Sequence, residues 1–239
     1  MCGIAGIVNY DGHSPDRARA TIRRMADTLL HRGPDAGGYY VDEFAALGHR
    51  RLAIIDLDGG DQPMAVANGQ VQIVFNGEIY NFLELKSDLG ARGHHFATQS
   101  DTEVILKAYL EWGVDCVSRL NGMFAFAIWD ARSREVVLAR DRVGKKPLYY
   151  AIVGNQLFFA SELKALFAGG LMPGDVCPES LDCYLTMGFV PAPRTIYKDI
   201  YKLPAASVLV ASADRQKEKR YWDLDFDDSR SVGFTEAVE

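Results

Sequence analysis

From residue 3 to residue 8 every position is small or apolar, which predicts a short buried strand closed by a turn at Asn9 to Gly12. The spacing then changes. Ala18, Ile22, Met25, Ala26 and Leu29 recur at three- and four-residue intervals, so 15–30 is predicted as an amphipathic helix that Gly33 and Pro34 terminate. Strands are expected at 38–42, 45–49, 51–55 and 71–75, and the Asp-, Gly- and Pro-rich stretch 58–63 reads as a loop.

A second helix is predicted near 81–91, ended by Gly93. A third opens on a capping box, with Ser100 at the N-cap and Glu103 three residues on, ahead of Val104, Ile105, Ala108, Tyr109 and Trp112. Gly113 closes it. Met123 to Trp129 is apolar throughout, the pattern of a strand covered on both faces, and 136–139, 148–153 and 157–160 continue the same system before a short helix at 162–167. After Gly169 and Gly170 come a helix at 178–187, a Pro-rich stretch at 190–193 and a hairpin at 207–223. The basic run Lys217 to Arg220 is assigned to a solvated turn at 213–219. Strands with two apolar faces, and helices gathered in blocks rather than alternating with strands, predict a four-layer α+β sandwich: two packed sheets covered by helices.

Composition narrows the class. Of 239 residues 48% are apolar, too many for a disordered chain, and four cysteines are too few for a disulfide scaffold. The net charge of −6 argues against nucleic-acid binding. Most of that charge is terminal: Asp223, Asp225, Asp227, Asp228, Glu236 and Glu239 stand against Arg230 alone. Residues 223–239 therefore read as an acidic linker after a nearly neutral domain at 2–222. No apolar run reaches membrane-spanning length and no signal-peptide pattern opens the chain, so a cytoplasmic protein without a membrane partner is expected. Cys116, Cys177 and Cys183 have the context of small buried hydrophobes. No CxxC pair or His94–His95 partner pattern suggests a metal.

Cys2 is different. Removal of Met1 would leave one residue carrying both a thiol and a free α-amine. With reference pKa values of about 8.5 and about 7.7–8.0, proton transfer from thiol to amine costs only about 1 kcal/mol. The amine can thus serve as base and later as acid without any histidine. With Met1 retained, the same nitrogen is a non-basic amide.

Cys2 is followed, in order, by His31 to Asp35 (HRGPD), Gly48 to Asp56 (GHRRLAIID), Asn76 to Asn81 (NGEIYN), Ser100 to Glu103 (SDTE), Gly122 to Phe126 (GMFAF) and Arg140 to Tyr149 (RDRVGKKPLY). Over about residues 2–222 the chain resembles the N-terminal glutaminase domain of the asparagine synthetase family, class II glutamine amidotransferases with an N-terminal nucleophile. The related glutaminases of glucosamine-6-phosphate synthase and glutamine phosphoribosylpyrophosphate amidotransferase usually carry Thr-Arg-aromatic where this chain has Arg50, Arg51 and Leu52. The run 52–56 and the NGEIYN motif match the asparagine synthetase branch.

The resemblance implies antiparallel sheets in an αββα sandwich of N-terminal nucleophile hydrolase type, with L-glutamine as substrate and Cys2 as nucleophile. It implies an oxyanion hole from the Asn76 side-chain amide and the Gly77 N–H, Arg51 on the glutamine α-carboxylate, and Leu52, Ile54 and Ile55 lining the pocket. Asp101 and Glu78 would lie around the α-ammonium. Each residue type suits its role: glycine allows close approach, the Asn amide is a neutral donor, and guanidinium pairs with carboxylate in two-pronged fashion. Taken alone, Asn76-Gly77 also suits a hairpin turn, Asp101 a helix dipole and Glu78 plain exposure. Arg50, next to Arg51 on a strand, is expected on the opposite, surface face. His31 and Arg32 stay outside the catalytic set, and Gly144-Lys145-Lys146 lacks the spacing of a phosphate-binding loop.

Ammonia is a nucleophile only while unprotonated, so a glutaminase serves a coupled acceptor site. The resemblance implies that this site is a C-terminal ATP-dependent synthetase domain of the same polypeptide, amidating aspartate. ATP and Mg²⁺ would belong to that domain, with no cofactor in this chain. Its Ser-Gly-Gly-x-Asp-Ser loop does not occur in these residues. A homodimer is compatible with this reading. A sugar or peptide carboxylate as acceptor is an alternative, and so is a non-catalytic scaffold, although scaffold relatives lack the leading Cys.

Overall fold

The computed structural model describes residues 1–53, 56 and 59–226. The first half runs β1 (Gly3–Asn9), α1 (Pro15–Asp27), β2 (Ala36–Val41), β3 (Ala45–Arg51), β4 (Met64–Val66), β5 (Val71–Ile79), α2 (Phe82–Ala91) and α3 (Asp101–Trp112), ending in a 3-10 turn at Gly113–Arg119. The second runs β6 (Gly122–Asp130), β7 (Glu135–Arg140), β8 (Tyr149–Val153), β9 (Gln156–Ala160), α4 (Leu163–Ala168), α5 (Pro178–Met187), β10 (Ile200–Lys202), β11 (Ser207–Ala211) and β12 (Gln216–Arg220). The strands form two six-stranded antiparallel sheets, ordered β10-β8-β9-β1-β3-β2 and β12-β11-β7-β6-β5-β4.

Alternation along the strands sorts the apolar side chains into layers. Ile4 and Val8 of β1, Leu47 of β3, Val74 of β5 and Trp129 of β6 pack between the sheets. Ala5 and Ile7 point the other way, onto Ile22 and Met25 of α1 and Leu166 of α4. Ile73 and Phe75, which flank Val74, turn outward onto Val104 and Ile105 of α3. Three apolar layers thus separate four structural ones, which is the αββα sandwich expected from the pattern.

Several local expectations change. No strand begins at 51. Instead β3 continues through Arg51, whose partner Ala36 is the first residue of β2, and the chain then leaves the sheet at Leu52. Ile54 and Ile55 lie outside the described residues. The three-residue strands β4 and β10 are too short for any periodicity to announce them. Lys217 to Arg220 belong to an exposed edge strand rather than a turn, where lysines discourage pairing with another chain. The capping box forms by half: Ser100 Oγ accepts from the Thr102 N–H at 3.2 Å, but Glu103 reaches past Ser100 to the N–H groups of Ala97 and Thr98. Cys116 is buried, whereas Cys177 and Cys183 are half-buried, because α5 sinks little of its surface. Arg50 is also half-buried rather than free, paired with Asp27 and the Tyr39 hydroxyl.

Candidate active site

Strand register assembles the site. Gly3 pairs with Arg50, which sets Cys2 beside Arg51 at one end of the first sheet. In the second sheet β5 carries Asn76 opposite Ala125 and Gly77 opposite Phe124. The Asp101 carboxylate, at the start of α3, accepts from the Ile79 N–H at 3.0 Å and so ties that helix to the end of β5. Cys2, Arg51, Leu52, Asn76, Gly77, Glu78 and Asp101 all line one cavity of about 190 Å³. Of the expected site residues, only Ile54 and Ile55 lie outside the description.

The Cys2 thiol is held by the residue that leaves β3. The Leu52 N–H donates to Sγ at 3.3 Å, and the thiol faces the Leu52 carbonyl at 3.6 Å. Burial pushes this thiol up. The Leu52 N–H and the positive charges of the N-terminus, Arg51 and Lys146 pull it back. Arg32 Nε donates to the Cys2 carbonyl at 2.9 Å, while its Nη1 pairs with Glu162, which also meets His31. Arg32 therefore holds the Cys2 backbone in place from outside the set of expected site residues. Its only advance signal was its place in the HRGPD motif.

Asn76 is 1% exposed, and its amide nitrogen has no hydrogen-bond partner among the described residues. Burying an unpaired donor costs about 1–3 kcal/mol, so the fold keeps this donor free at a penalty. Gly77 is required sterically: a Cβ there would lie 2.1 Å from the Met123 carbonyl oxygen and 2.7 Å from Phe124 Cα. Arg51 is buried, with Nη2 on the Asp56 carbonyl and Nη1 on Asp61 at 3.1 Å. The Asp61 side chain is 81% exposed, which makes it an anion that a ligand carboxylate can replace. The Asp101 carboxyl is pushed up to about 6, chiefly by burial and against its backbone hydrogen bonds, with Glu78 adding to the rise.

Other cavity residues were given no site role by the sequence. Gln62 accepts from the Phe75 N–H at 2.6 Å and donates to Thr102 at 3.2 Å, joining the loop after β3 to both β5 and α3. Met123 and Lys146 line the same space. Among the described residues no group of three or more His, Cys, Asp or Glu side chains is placed to hold a metal ion, and no helix is long and apolar enough to cross a membrane.

Residues 1–222 match the family described as glutamine amidotransferase domain. The chain is 40% identical over 228 residues to asparagine synthetase [glutamine-hydrolyzing] 3 of Bacillus subtilis, covering 94% of this chain and 37% of that protein. It is 34% identical over 240 residues to amidase chry2 of Gibberella zeae, covering 95% and 35%. It thus spans little more than a third of these relatives. In fold it is similar to the allosteric regulatory enzyme of purine biosynthesis, with a TM-score of 0.66 at 22% identity, covering 92% of this chain and 49% of that one.

Proposed function

The chain belongs to the family of glutamine amidotransferase domains, and from that premise we propose that it hydrolyses the side-chain amide of L-glutamine through a thioester on Cys2. The observation that carries this reading is the free Asn76 amide, buried beside Cys2 in one cavity with the Gly77 backbone. A donor kept unpaired at a cost has its use when negative charge appears next to it.

With Met1 removed, the α-amine takes the thiol proton and Sγ attacks the amide carbon. The carbonyl oxygen becomes an oxyanion held by the Asn76 amide and the Gly77 N–H. The C–N bond then breaks, the leaving nitrogen takes the proton from the α-ammonium, and NH₃ departs. Water, deprotonated by the same amine, hydrolyses the thioester to glutamate and restores the thiol. Arg51 exchanges Asp61 for the substrate carboxylate, Asp101 and Glu78 receive the α-ammonium, and Leu52 with Ile54 and Ile55 shapes the wall. The test is direct: protein lacking Met1 releases glutamate from glutamine, and a glutamine-like diazoketone alkylates Cys2. An N-terminal Cys confirmed by intact mass, with neither result, overturns the reading.

Asp101 makes binding depend on pH. As a carboxylate it attracts the α-ammonium; protonated, it does not. The KM for glutamine is therefore expected to rise as pH falls through about 6, roughly tenfold per unit well below it, with kcat changing less. Initial rates from pH 5 to 8 measure this, and Asp101→Asn flattens the profile. For stability the sign is opposite. A carboxyl raised from 3.8 to about 6 costs stability above that range, and the cost disappears as pH falls from about 6 toward 3.8.

The wider reading is an asparagine synthetase-type enzyme of the cytoplasm. Residues 2–222 form its glutaminase domain and 223–239 an acidic linker toward a separate domain, which binds ATP and Mg²⁺ and amidates aspartate. The greater length of the relatives supports a further domain. A relative named as an amidase, similar over nearly the whole chain, leaves room for a product other than asparagine, and the second reading takes a sugar or peptide carboxylate as acceptor. Adding aspartate, ATP and Mg²⁺ to the full-length enzyme and looking for asparagine separates the two.

A further inference from the structure

Lys146 is a lysine in an unusual position. It is 6% exposed, it lines the Cys2 cavity, and its ammonium has no hydrogen-bond or ion-pair partner among the described residues. Lysine is almost never so buried unless paired. Its backbone is fixed from both sides: the Lys146 N–H donates to Asp141 at 3.0 Å, and its carbonyl accepts from Arg140 Nε at 2.7 Å. The same Asp141 carboxylate, fully buried, also accepts from the N–H groups of Phe124, Val143 and Lys145. Phe124 is the β6 residue that pairs with Gly77. A short chain of contacts thus runs from the glycine of the oxyanion hole through Phe124 and Asp141 to Lys146. Such anchoring fixes the backbone from which this cation reaches the Cys2 cavity.

We infer that Lys146 is an electrostatic positioning residue of the Cys2 site, whose fixed positive charge stabilises the thiolate and then the oxyanion formed from it. This inference rests on the glutaminase reading. The other charges around Cys2 are the N-terminus, carried here by Met1, Arg51 at the end of β3, Glu78 of β5, Asp101 of α3, and Arg32, which holds the Cys2 carbonyl and pairs with Glu162. On the lysine's own loop stand Arg140 and Asp141. Arg51 is occupied by Asp61 now and by the substrate carboxylate in the complex. The α-amine is neutral whenever it serves as base. Asp141 is saturated by four backbone donors. Among the described residues, Lys146 is the cavity cation whose charge stays free of an acidic partner throughout the cycle. Burial disfavours the thiolate, and a nearby cation offsets that cost.

The test is the pH dependence of Cys2 alkylation by iodoacetamide, read at the Cys2 peptide by mass spectrometry, since only the thiolate reacts. In Lys146→Met the midpoint is expected to rise by about one pH unit, slowing alkylation about tenfold at pH 7. Lys146→Arg should restore the wild-type profile to within about twofold, and glutaminase kcat in Lys146→Met should fall about tenfold at unchanged KM. A Lys146→Met alkylation profile that superimposes on wild type, in protein with unchanged thermal unfolding, overturns the inference. So does a rise in KM with the profile unmoved, which would make Lys146 a substrate-binding group. If Lys146→Met does not fold, Lys146→Gln carries the same comparison. Alkylation needs no glutamine, so a wild-type protein that releases no glutamate would defeat the glutaminase reading while leaving this profile measurable.

Discussion

Replacing Cys2 by Ala is expected to lower glutamate release at least about a thousandfold, and retaining Met1 in front of an intact Cys2 should do nearly the same. The two failures differ in kind. Cys2→Ala removes the atom that bonds to substrate, whereas retained Met1 leaves the thiol and converts its proton acceptor into an amide. The structure sharpens this expectation because no histidine lines the cavity among the described residues, and Glu78 and Asp101 are assigned to the α-ammonium. Proton transfer then falls to the α-amine. Burial already holds the thiol above its usual range, so a thiol without that base is a poor nucleophile. Iodoacetamide at high pH separates the cases: the Met1-retaining protein is alkylated at Cys2 and stays inactive, and the Cys2→Ala protein is not labelled there. Full glutaminase activity in a preparation shown by intact mass to retain Met1 would exclude the amine as base.

Asn76→Ala is expected to lower kcat about 10²–10³-fold, equivalent to about 2.7–4 kcal/mol in the transition state, with KM within about twofold of wild type. The amide nitrogen has no hydrogen-bond partner among the described residues, so its removal breaks no native hydrogen bond and even relieves a buried unpaired donor. Thermal stability should therefore hold while turnover collapses. Gly77→Ala is the contrasting variant. Its new methyl would fall 2.1 Å from the Met123 carbonyl oxygen, so β5 and β6 must separate and stability should drop together with activity. Steady-state kinetics paired with thermal melts distinguish the two, and a rise in KM at unchanged kcat for Asn76→Ala would remove Asn76 from the oxyanion hole.

How much of this was legible beforehand depends on where each signal resides. The strand 123–129 and the helix from Ser100 were readable because burial imposes a uniform period over many residues. The break after Arg51 was not, because Leu52 exchanges strand pairing for a contact with Cys2, fifty residues away in sequence. The edge strand Gln216–Arg220 was hidden for the opposite reason: all five of its side chains face water, so no apolar alternation marks it. Among site residues, those with distinctive chemistry in recognisable motifs line one cavity, while Gln62 had no motif of its own and Arg32 and Lys146 sat in motifs that gave them no catalytic role.

The sequence by itself determined the alternation that makes two sheets and four layers, and the pairing of a thiol with the adjacent backbone nitrogen at Cys2, a covalent fact independent of folding. Only the tertiary structure decided the state of the groups around it. Desolvation, an unpaired donor and an uncompensated charge arise where distant segments meet: Asn76 is orphaned, Asp101 raised and Lys146 left without a partner by neighbours that adjacency in the chain does not specify. Residue identity sets which chemistry is available, and burial sets the energy at which it operates.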